Sequence, residues 1–244
     1  MRESSLSERL IAAARGMNER GINVNKSGNV SVRVERGGRD GFLVTPTGVP
    51  YASLTPGDLV WMPITAASVE DREGALLPSS EWSLHRAVYA ARPDAGAVVH
   101  THSAYATALA CQNEGIPAFH YMVAVAGGSS IDVVPYATFG TELLGQRTAE
   151  ALRVKNACLL EHHGVVALGP TPEKALDLAA EVENLARQYV IVRGLGTPHL
   201  LSDEEMAVVI EKFRTYGKQP APLPTTHRCF CVTRRPPRST RRQR

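Results

Sequence analysis

The sequence predicts a layered α/β protein with a mostly antiparallel central sheet. Short apolar stretches of strand length are mixed with longer segments of helical periodicity, without the strict alternation of a doubly wound fold. The composition, with 43% hydrophobic and 21% charged residues, is ordinary for a globular protein. With 244 residues, the chain can bury a sizeable core as one large domain or as two small ones.

The N-terminal part contains two predicted helices and four predicted strands. Residues 5–20 carry apolar side chains at helical spacing and are followed by Gly21, which predicts the first helix. A second helix is predicted within 78–94, where a proline and two serines precede it and Pro93 lies near its end. The strands are predicted in SGNVSVRV (27–34), GFLVTPTG (41–48), LTPGDLVWMP (54–63), which begins with a short helical turn, and AGAVVHTHS (95–103).

The C-terminal part contains four predicted helices and three predicted strands. The helices are expected at 104–112, about 141–154, 171–194 and 202–217, the last with Ser202 as its N-cap. One strand is predicted in SIDVVPY (130–136). The segment ACLLEHHGVVALG (157–169) is expected to form two more as a hairpin that turns at His163 and Gly164.

The charge of the chain is divided unevenly. Residues 218–244 contain eight basic residues and no acidic one, which leaves 19 basic against 24 acidic residues in 1–217. The tail is rich in Pro and Arg and lacks apolar periodicity, so we predict that it is disordered. A solvated extension is the favoured interpretation of the tail, and an arm that binds RNA or an anionic surface nonspecifically is the alternative.

No segment is typical of a membrane or secreted protein. The N-terminus has too short an apolar run for a signal peptide, and no stretch approaches the length that spans a bilayer. The four cysteines indicate no disulfide framework, and Cys111 and Cys158 are expected as reduced core residues. We therefore expect a cytoplasmic protein.

Two histidines end the apolar strand at 95–103. His100 and His102 are two residues apart, so their rings should point to the same face. Two imidazoles at one place can begin a metal site, although a hydrogen-bonded polar pair is the simpler interpretation. A third ligand is available at 162–163, and His163, which precedes Gly164, is the better candidate. Three imidazoles with an open fourth position are typical of catalytic zinc, while the competing histidines are His85, assigned to packing, His120 and His199.

Glu81 is the candidate acid, at the start of the second helix. Its simple interpretation is helix capping, and its functional one is proton transfer beside the metal. Three turns, at 27–29, 45–48 and 79–80, expose backbone N–H groups beside hydroxyl or amide side chains. Together these turns predict a phosphate pocket, although none of them is a Walker loop or a dinucleotide fingerprint.

These motifs, in order, resemble a known family. The segments SGNVSVR, LVTPTGVPY, LPSSEWSLH, RPDAGAVVHTHS, HYMVAVAGG, PYATFGT, LLEHHGVVALG and SDEEMAVVIEKFRTYG resemble class II aldolases of the fuculose phosphate aldolase type, within the class II aldolase/adducin superfamily. The resemblance covers about 1–217 and implies a single three-layer α/β/α domain. It also implies a homotetramer with active sites at subunit interfaces, and one Zn²⁺ per subunit.

The resemblance implies retro-aldol cleavage of L-fuculose 1-phosphate to dihydroxyacetone phosphate and L-lactaldehyde, as in fucose degradation. It assigns Glu81 as a metal-approaching acid/base residue and Tyr121 as a second proton-transfer residue that reaches a neighbouring subunit. The zinc ligands that it implies are His100, His102 and His163. The residues that it assigns to phosphate and substrate are Gly28, Asn29, Thr47, Gly48, Ser79, Ser80, Phe139 and Tyr216.

The chemistry of the residues agrees with a metal aldolase. None of the body lysines (Lys26, Lys155, Lys174 and Lys212) lies in a buried strand that would activate it for a Schiff base, so a metal is the better electron sink. Manganese, cobalt or iron would also accept these ligands. The enzymatic alternatives are a ribulose-5-phosphate 4-epimerase-like enzyme and another phosphosugar aldolase or decarboxylase. A non-enzymatic module like the adducin head is disfavoured by the intact histidine triad.

Overall fold

A computed structural model describes residues 3–215 of the chain, in which seven strands form one sheet between two layers of helices. The strands are β1 (Asn29–Arg33), β2 (Gly41–Val44), β3 (Val60–Pro63), β4 (Ala97–Thr101), β5 (Val133–Val134), β6 (Ala157–Leu160) and β7 (Gly164–Gly169). The helices are α1 (Glu3–Glu19), α2 (Trp82–Ala91), α3 (Ala104–Cys111), α4 (Glu142–Ala151), α5 (Pro172–Leu195) and α6 (Asp203–Phe213).

The sheet is mostly antiparallel, as predicted. Its strand order is β3-β2-β1-β4-β7-β6-β5, and β5 with β6 is the parallel pair. Strand β4 lies at the centre, where Asn29 of β1 pairs with His100 and Val165 of β7 pairs with Thr101. The end of β4 that carries the histidine pair is therefore flanked by the start of β1 and the start of β7.

The two faces of the sheet bury separate hydrophobic clusters, because side chains alternate along each strand. Val99 of β4 belongs to the cluster beneath α1, α3 and α5, whereas its neighbour Val98 belongs to the cluster beneath α2 and α4. The prediction of a three-layer α/β/α domain is confirmed. Thr171 and Ser202 cap α5 and α6 through their side chains, the second as predicted.

The β6–β7 hairpin turns one residue earlier than predicted. Leu160 pairs with Gly164, so the loop consists of 161–163 and the glycine belongs to the strand. His162 adopts the left-handed conformation, with φ of 54°. Gly164 is required for a different reason, because a Cβ there would lie 2.3 Å from the carbonyl oxygen of Thr101. Close packing against β4, and not turn geometry, therefore selects glycine.

Two smaller predictions are corrected. The strand predicted at 130–136 has only two residues in the ladder, since Pro135 cannot continue it as a donor. Cys158 is buried as predicted, but Cys111 is exposed at the end of α3.

Within 3–215, no helix is long and apolar enough to cross a membrane. Tyr216, the predicted boundary at 217 and the tail 218–244 lie outside the described residues.

Candidate metal centre

Three histidines and one glutamate meet at the end of β4. His100 and His102 come from β4 and the residues directly after it, His163 from the β6–β7 loop, and Glu81 from the residue before α2. One ligand atom from each of the four lies within 4.8 Å of every other. The three imidazole rings have centroids 4.8 to 5.0 Å apart. The residues predicted as a metal site are thus brought together from three separate parts of the chain.

The hydrogen bonds of His100 direct a nitrogen lone pair into this cluster. Its Nδ1 lies 2.8 Å from the carbonyl oxygen of Val165, which can only accept, so Nδ1 carries the proton. Its Nε2 lies 2.9 Å from Nε2 of His102 and 3.1 Å from Oε2 of Glu81. Nitrogen and carboxylate atoms at this spacing repel one another unless a cation or a proton lies among them.

The Glu81 carboxylate faces the histidine cluster and does not cap its helix. It occupies the N-cap position of α2 but makes no side-chain capping bond, so the capping interpretation is wrong. Its Oε2 accepts a hydrogen bond from Nδ2 of Asn29 at 3.0 Å. Its Oε1 is buried, has no hydrogen-bond partner among the described residues, and lies 3.3 Å from Nε2 of His163. A buried carboxylate oxygen without a donor is available as a metal ligand.

The protonation states agree with a cation site. Burial raises the pKa of Glu81, but the opposing charge of His100 lowers it more, to well below its usual range. Burial lowers the pKa of His102 and of His163 to about 4, and the nearby charge of His100 acts in the same direction. Burial also lowers the pKa of His100, but the charge and hydrogen bond of Glu81 outweigh burial and raise it. Three imidazoles and an anionic oxygen are a donor set that fits a divalent metal such as Zn²⁺.

The three predicted anion-binding turns lie against one another. Thr47 donates its backbone N–H to the carbonyl of Leu77 at 3.1 Å, and Ser79 donates to the carbonyl of Thr45 at 2.9 Å. The 27–29 turn is joined to the 45–48 turn, because Lys26 Nζ donates to the carbonyl of Gly48 at 2.7 Å. Of the predicted phosphate residues, Gly28, Asn29 and Ser79 are buried, while Thr47, Gly48 and Ser80 are exposed.

A pocket of about 250 Å³ opens over the cluster of three histidines and Glu81. Ser80, Glu81, His102, Phe139 and His163 line it, which places the predicted Phe139 at the pocket wall. Ser27, from the predicted turn at 27–29, also lines it, and three lining residues were not predicted, namely Tyr136, Ala137 and His162. The side chain of His162 contacts the ring of Tyr136 edge-on, at 6.2 Å between centroids, so it forms part of the wall without joining the cluster.

Comparison with known proteins decides the family. Residues 8–190 match the family model described as the class II aldolase and adducin N-terminal domain. The chain belongs to this class II aldolase family. It is 47% identical over 218 residues to the L-fuculose phosphate aldolase of Escherichia coli strain K12, which covers 89% of this chain and 98% of the relative.

The aldolase is also 47% identical over 216 residues to a 5-methylthioribulose-1-phosphate/5-deoxyribulose-1-phosphate aldolase of Rhodospirillum rubrum, covering 88% of this chain and 94% of the relative. A solved structure of an L-fuculose 1-phosphate aldolase superposes with a TM-score of 0.81 at 37% identity, covering 88% and 98% of the two chains. The chain is therefore a metal-dependent carbon–carbon lyase with the class II aldolase fold.

Tyr121 lies outside the pocket of its own chain. It begins a short 3₁₀ helix at Tyr121–Ala126 and is 47% exposed, with its ring near Phe213 of α6. Its assignment to a neighbouring subunit stays a prediction. The competing histidines are absent from the cluster: His120 accepts a hydrogen bond from the backbone of Met122, and His199 is exposed.

Asn29 and His85 have roles that the sequence analysis did not assign. Asn29 was predicted only as a phosphate residue, yet it donates to Glu81. His85 was assigned to packing, yet it bonds to both Asn29 and Ser31. The sequence contained an indication of these contacts, because Asn29 and Ser31 are polar residues on one face of an otherwise apolar strand. Buried polar groups require partners, which should have pointed to His85.

Proposed function

We propose that this aldolase cleaves L-fuculose 1-phosphate, or a closely related ketose 1-phosphate, to dihydroxyacetone phosphate and an aldehyde. For L-fuculose 1-phosphate the aldehyde is L-lactaldehyde, and the reaction belongs to fucose degradation. One observation carries the proposal: the His100, His102, His163 and Glu81 cluster adjoins the joined anion-binding turns. A carbon–carbon lyase with this arrangement can hold a phosphate at one end of a ketose and its reacting carbons at the other.

Different residues of the chain are assigned to metal binding and to proton transfer in a retro-aldol reaction. We assign His100, His102 and His163 as the residues that hold the metal. A bound Zn²⁺ supplies a Lewis acid for the negative charge that develops on substrate oxygens when the C–C bond breaks. Glu81 is the base near this position, since its carboxylate is ionised and its Oε1 accepts no hydrogen bond within 3–215.

The anion-binding turns are proposed to hold the phosphate. The hydroxyls of Thr47, Ser79 and Ser80 and the backbone N–H groups of Gly48 and Ser80, with Gly28 and Asn29 beside them, can donate to phosphate oxygens. The adjacency of the three turns supports this assignment. Phe139 would then lie toward the aldehyde end of the substrate, where Tyr136 and His162 complete the wall.

The remaining assignments concern the assembly. We propose a cytoplasmic homotetramer in which Tyr121 enters the site of a neighbouring subunit and shares proton transfer with Glu81. The exposed position of Tyr121, outside its own pocket, supports this arrangement. Tyr216 is proposed to line the substrate from the C-terminal segment. The tail 218–244 is proposed to have no required part in catalysis.

A second substrate is favoured by a specific observation. The relative named as a 5-methylthioribulose-1-phosphate/5-deoxyribulose-1-phosphate aldolase is as similar to this chain as the fuculose phosphate aldolase. All these names describe ketose 1-phosphates, so the phosphate and metal ends of the site would serve either substrate. The difference lies in the aldehyde product, which places discrimination at the wall formed by Tyr136, Phe139 and His162.

The test is a substrate panel with the full-length protein and Zn²⁺. The panel contains L-fuculose 1-phosphate, 5-deoxyribulose 1-phosphate, 5-methylthioribulose 1-phosphate and, for the epimerase alternative, ribulose 5-phosphate. Dihydroxyacetone phosphate is detected with a coupled dehydrogenase, and xylulose 5-phosphate from the epimerase arm by NMR, each with and without chelator. We expect chelator-sensitive cleavage with the highest kcat/KM for L-fuculose 1-phosphate. Preferred cleavage of the methylthio or deoxy sugar would reassign the substrate, and chelator-resistant cleavage would overturn the metal mechanism.

A further inference from the structure

A chain of hydrogen bonds runs behind the metal centre. The phenol oxygen of Tyr89 lies 2.8 Å from Oγ of Ser31, which lies 2.6 Å from Nδ1 of His85. Nε2 of His85 lies 2.5 Å from Oδ1 of Asn29, and Nδ2 of Asn29 lies 3.0 Å from Oε2 of Glu81. All five side chains are at most 4% exposed. The metal-site carboxylate is thus connected to the core by an unbroken polar path.

The path has one direction of donation. Because the ionised Glu81 can only accept, Asn29 must present its NH₂ group to it and turn its carbonyl oxygen to His85. That oxygen is also an acceptor, so His85 must carry a proton on Nε2. Burial holds the pKa of His85 at about 3, so the ring is neutral and its Nδ1 accepts from the Ser31 hydroxyl. Ser31 in turn accepts from Tyr89.

The fold fixes each member of this path. Asn29 and Ser31 are two residues apart on one face of β1, while His85 and Tyr89 are four apart on one face of α2. The ring of Phe42 on β2 lies beside two rings of α2, with its centroid 6.4 Å from that of His85 and 5.1 Å from that of Tyr89. The imidazole is therefore held on both its edges and one of its faces.

We propose that His85 is a positioning residue, whose Nε2–H sets the orientation of the Asn29 amide so that the NH₂ group faces the metal centre. Without this donor, the orientation of the amide would depend on the Glu81 carboxylate alone. With it, the site always offers a donor to an anionic oxygen, first that of Glu81 and then that of a substrate. The substrate part of this statement rests on the proposed aldolase function.

The kinetic test compares two replacements of His85. His85→Leu removes the donor, whereas His85→Gln retains an N–H group that can reach Asn29. We expect kcat/KM for the best ketose 1-phosphate to fall about tenfold in the leucine variant, the equivalent of one net hydrogen bond, and to recover in the glutamine variant. In an Asn29→Ala background, His85→Leu should cause no further loss, because His85 acts through Asn29. Additive losses, or wild-type kcat/KM in His85→Leu, would overturn the proposal.

A matched control separates positioning from stability. Val88→Ala leaves a cavity in the same helix face, at a fully buried residue outside the hydrogen-bond path. We expect it to lower the midpoint of thermal unfolding at least as much as His85→Leu, with little change in kcat/KM. If Val88→Ala loses activity in proportion to its stability, as His85→Leu does, the role of His85 is structural only.

A spectroscopic test does not depend on turnover. Solid-state ¹⁵N NMR of the histidine-labelled, Zn²⁺-loaded full-length protein reports which ring nitrogen carries the proton, with His85→Gln used to assign the signal. We expect the neutral form with the proton on Nε2, and the same form in Ser31→Ala, because the Asn29 carbonyl oxygen still accepts from Nε2. A proton on Nδ1 would overturn the proposal. If no ketose 1-phosphate is cleaved, the proposed function fails, while the tautomer still decides the role of His85.

Discussion

Nδ1 of His100 donates to the main-chain carbonyl of Val165 at 2.8 Å, across the central pair of strands β4 and β7. This single contact decides which nitrogen of His100 faces the other ligands. It also joins the strand that carries two of the histidines to the hairpin that carries the third. The orientation of the His100 ring is therefore set by the pairing of strands in the sheet.

Replacing one of the three histidines should remove the metal and the activity together. We expect His163→Ala to fold, because His163 is partly exposed on a loop, but to lose more activity than the roughly 10–100-fold typical of changes outside the ligand shell. Metal content by atomic emission and kcat/KM check this. His162→Ala, the neighbour that lines the pocket outside the cluster, is the control and should retain its metal. Equal metal loss in both variants would contradict the assignment.

Metal binding should release a proton at neutral pH. The pKa of His100 is raised because the charge and hydrogen bond of Glu81 outweigh burial, so in the metal-free site His100 keeps a second proton to higher pH than His102 or His163 does. His102 and His163, with pKa values of about 4, are already neutral at pH 7 and release none. A metal must displace any proton on His100 Nε2, so the metal affinity should rise with pH until the raised pKa is passed.

Calorimetric titration of Zn²⁺ at pH 7, in two buffers with different ionisation enthalpies, measures this release. We expect a proton release at pH 7 that becomes smaller at higher pH as His100 becomes neutral. The variant Glu81→Gln should release less at pH 7, since the charge that raises the His100 pKa is absent. A release near zero in the wild-type protein would place the proton elsewhere.

The contact between β7 and β4 gives a stability prediction. A Cβ at Gly164 would lie 2.3 Å from the Thr101 carbonyl oxygen, which is backbone and cannot move away by rotation. We expect Gly164→Ala to destabilise the protein by about 1–3 kcal/mol, as overpacking does. The control is Gly194→Ala in α5, where a Cβ meets nothing within 4 Å and alanine should stabilise the helix by about 0.5–1 kcal/mol. Urea unfolding of both variants measures the change in the free energy of unfolding, which should be a decrease for Gly164→Ala and an increase for Gly194→Ala.

The sequence was sufficient for the fold class and for the cluster residues, but it did not specify their hydrogen bonds. Spacing predicted that His100 and His102 share a face, because strand geometry has a fixed period. The sequence-based prediction misplaced the hairpin turn at Gly164. Glycine permits both a tight turn and the close approach of two strands, and the sequence does not distinguish these two reasons for a glycine. It assigned His85 to packing, because an apolar helix face does not reveal that its partner strand carries Asn29 and Ser31. Such cross-element contacts depend on the tertiary structure.

The acid/base role of Glu81 can be separated from its role in holding the metal. Glu81→Gln keeps the size of the side chain and an oxygen for Asn29 Nδ2 to donate to, but it removes the charge and the basic site. If Glu81 transfers a proton, kcat should fall by about 10²–10⁴-fold while the three histidines retain the metal. Glu173→Gln is a charge-matched control on α5, where the hydrogen bond from Arg9 lowers the carboxyl pKa to about 2 in an ion pair away from the pocket. We expect that control to keep full activity. A Glu81→Gln variant with metal bound and wild-type kcat would remove Glu81 from proton transfer and leave that role to Tyr121.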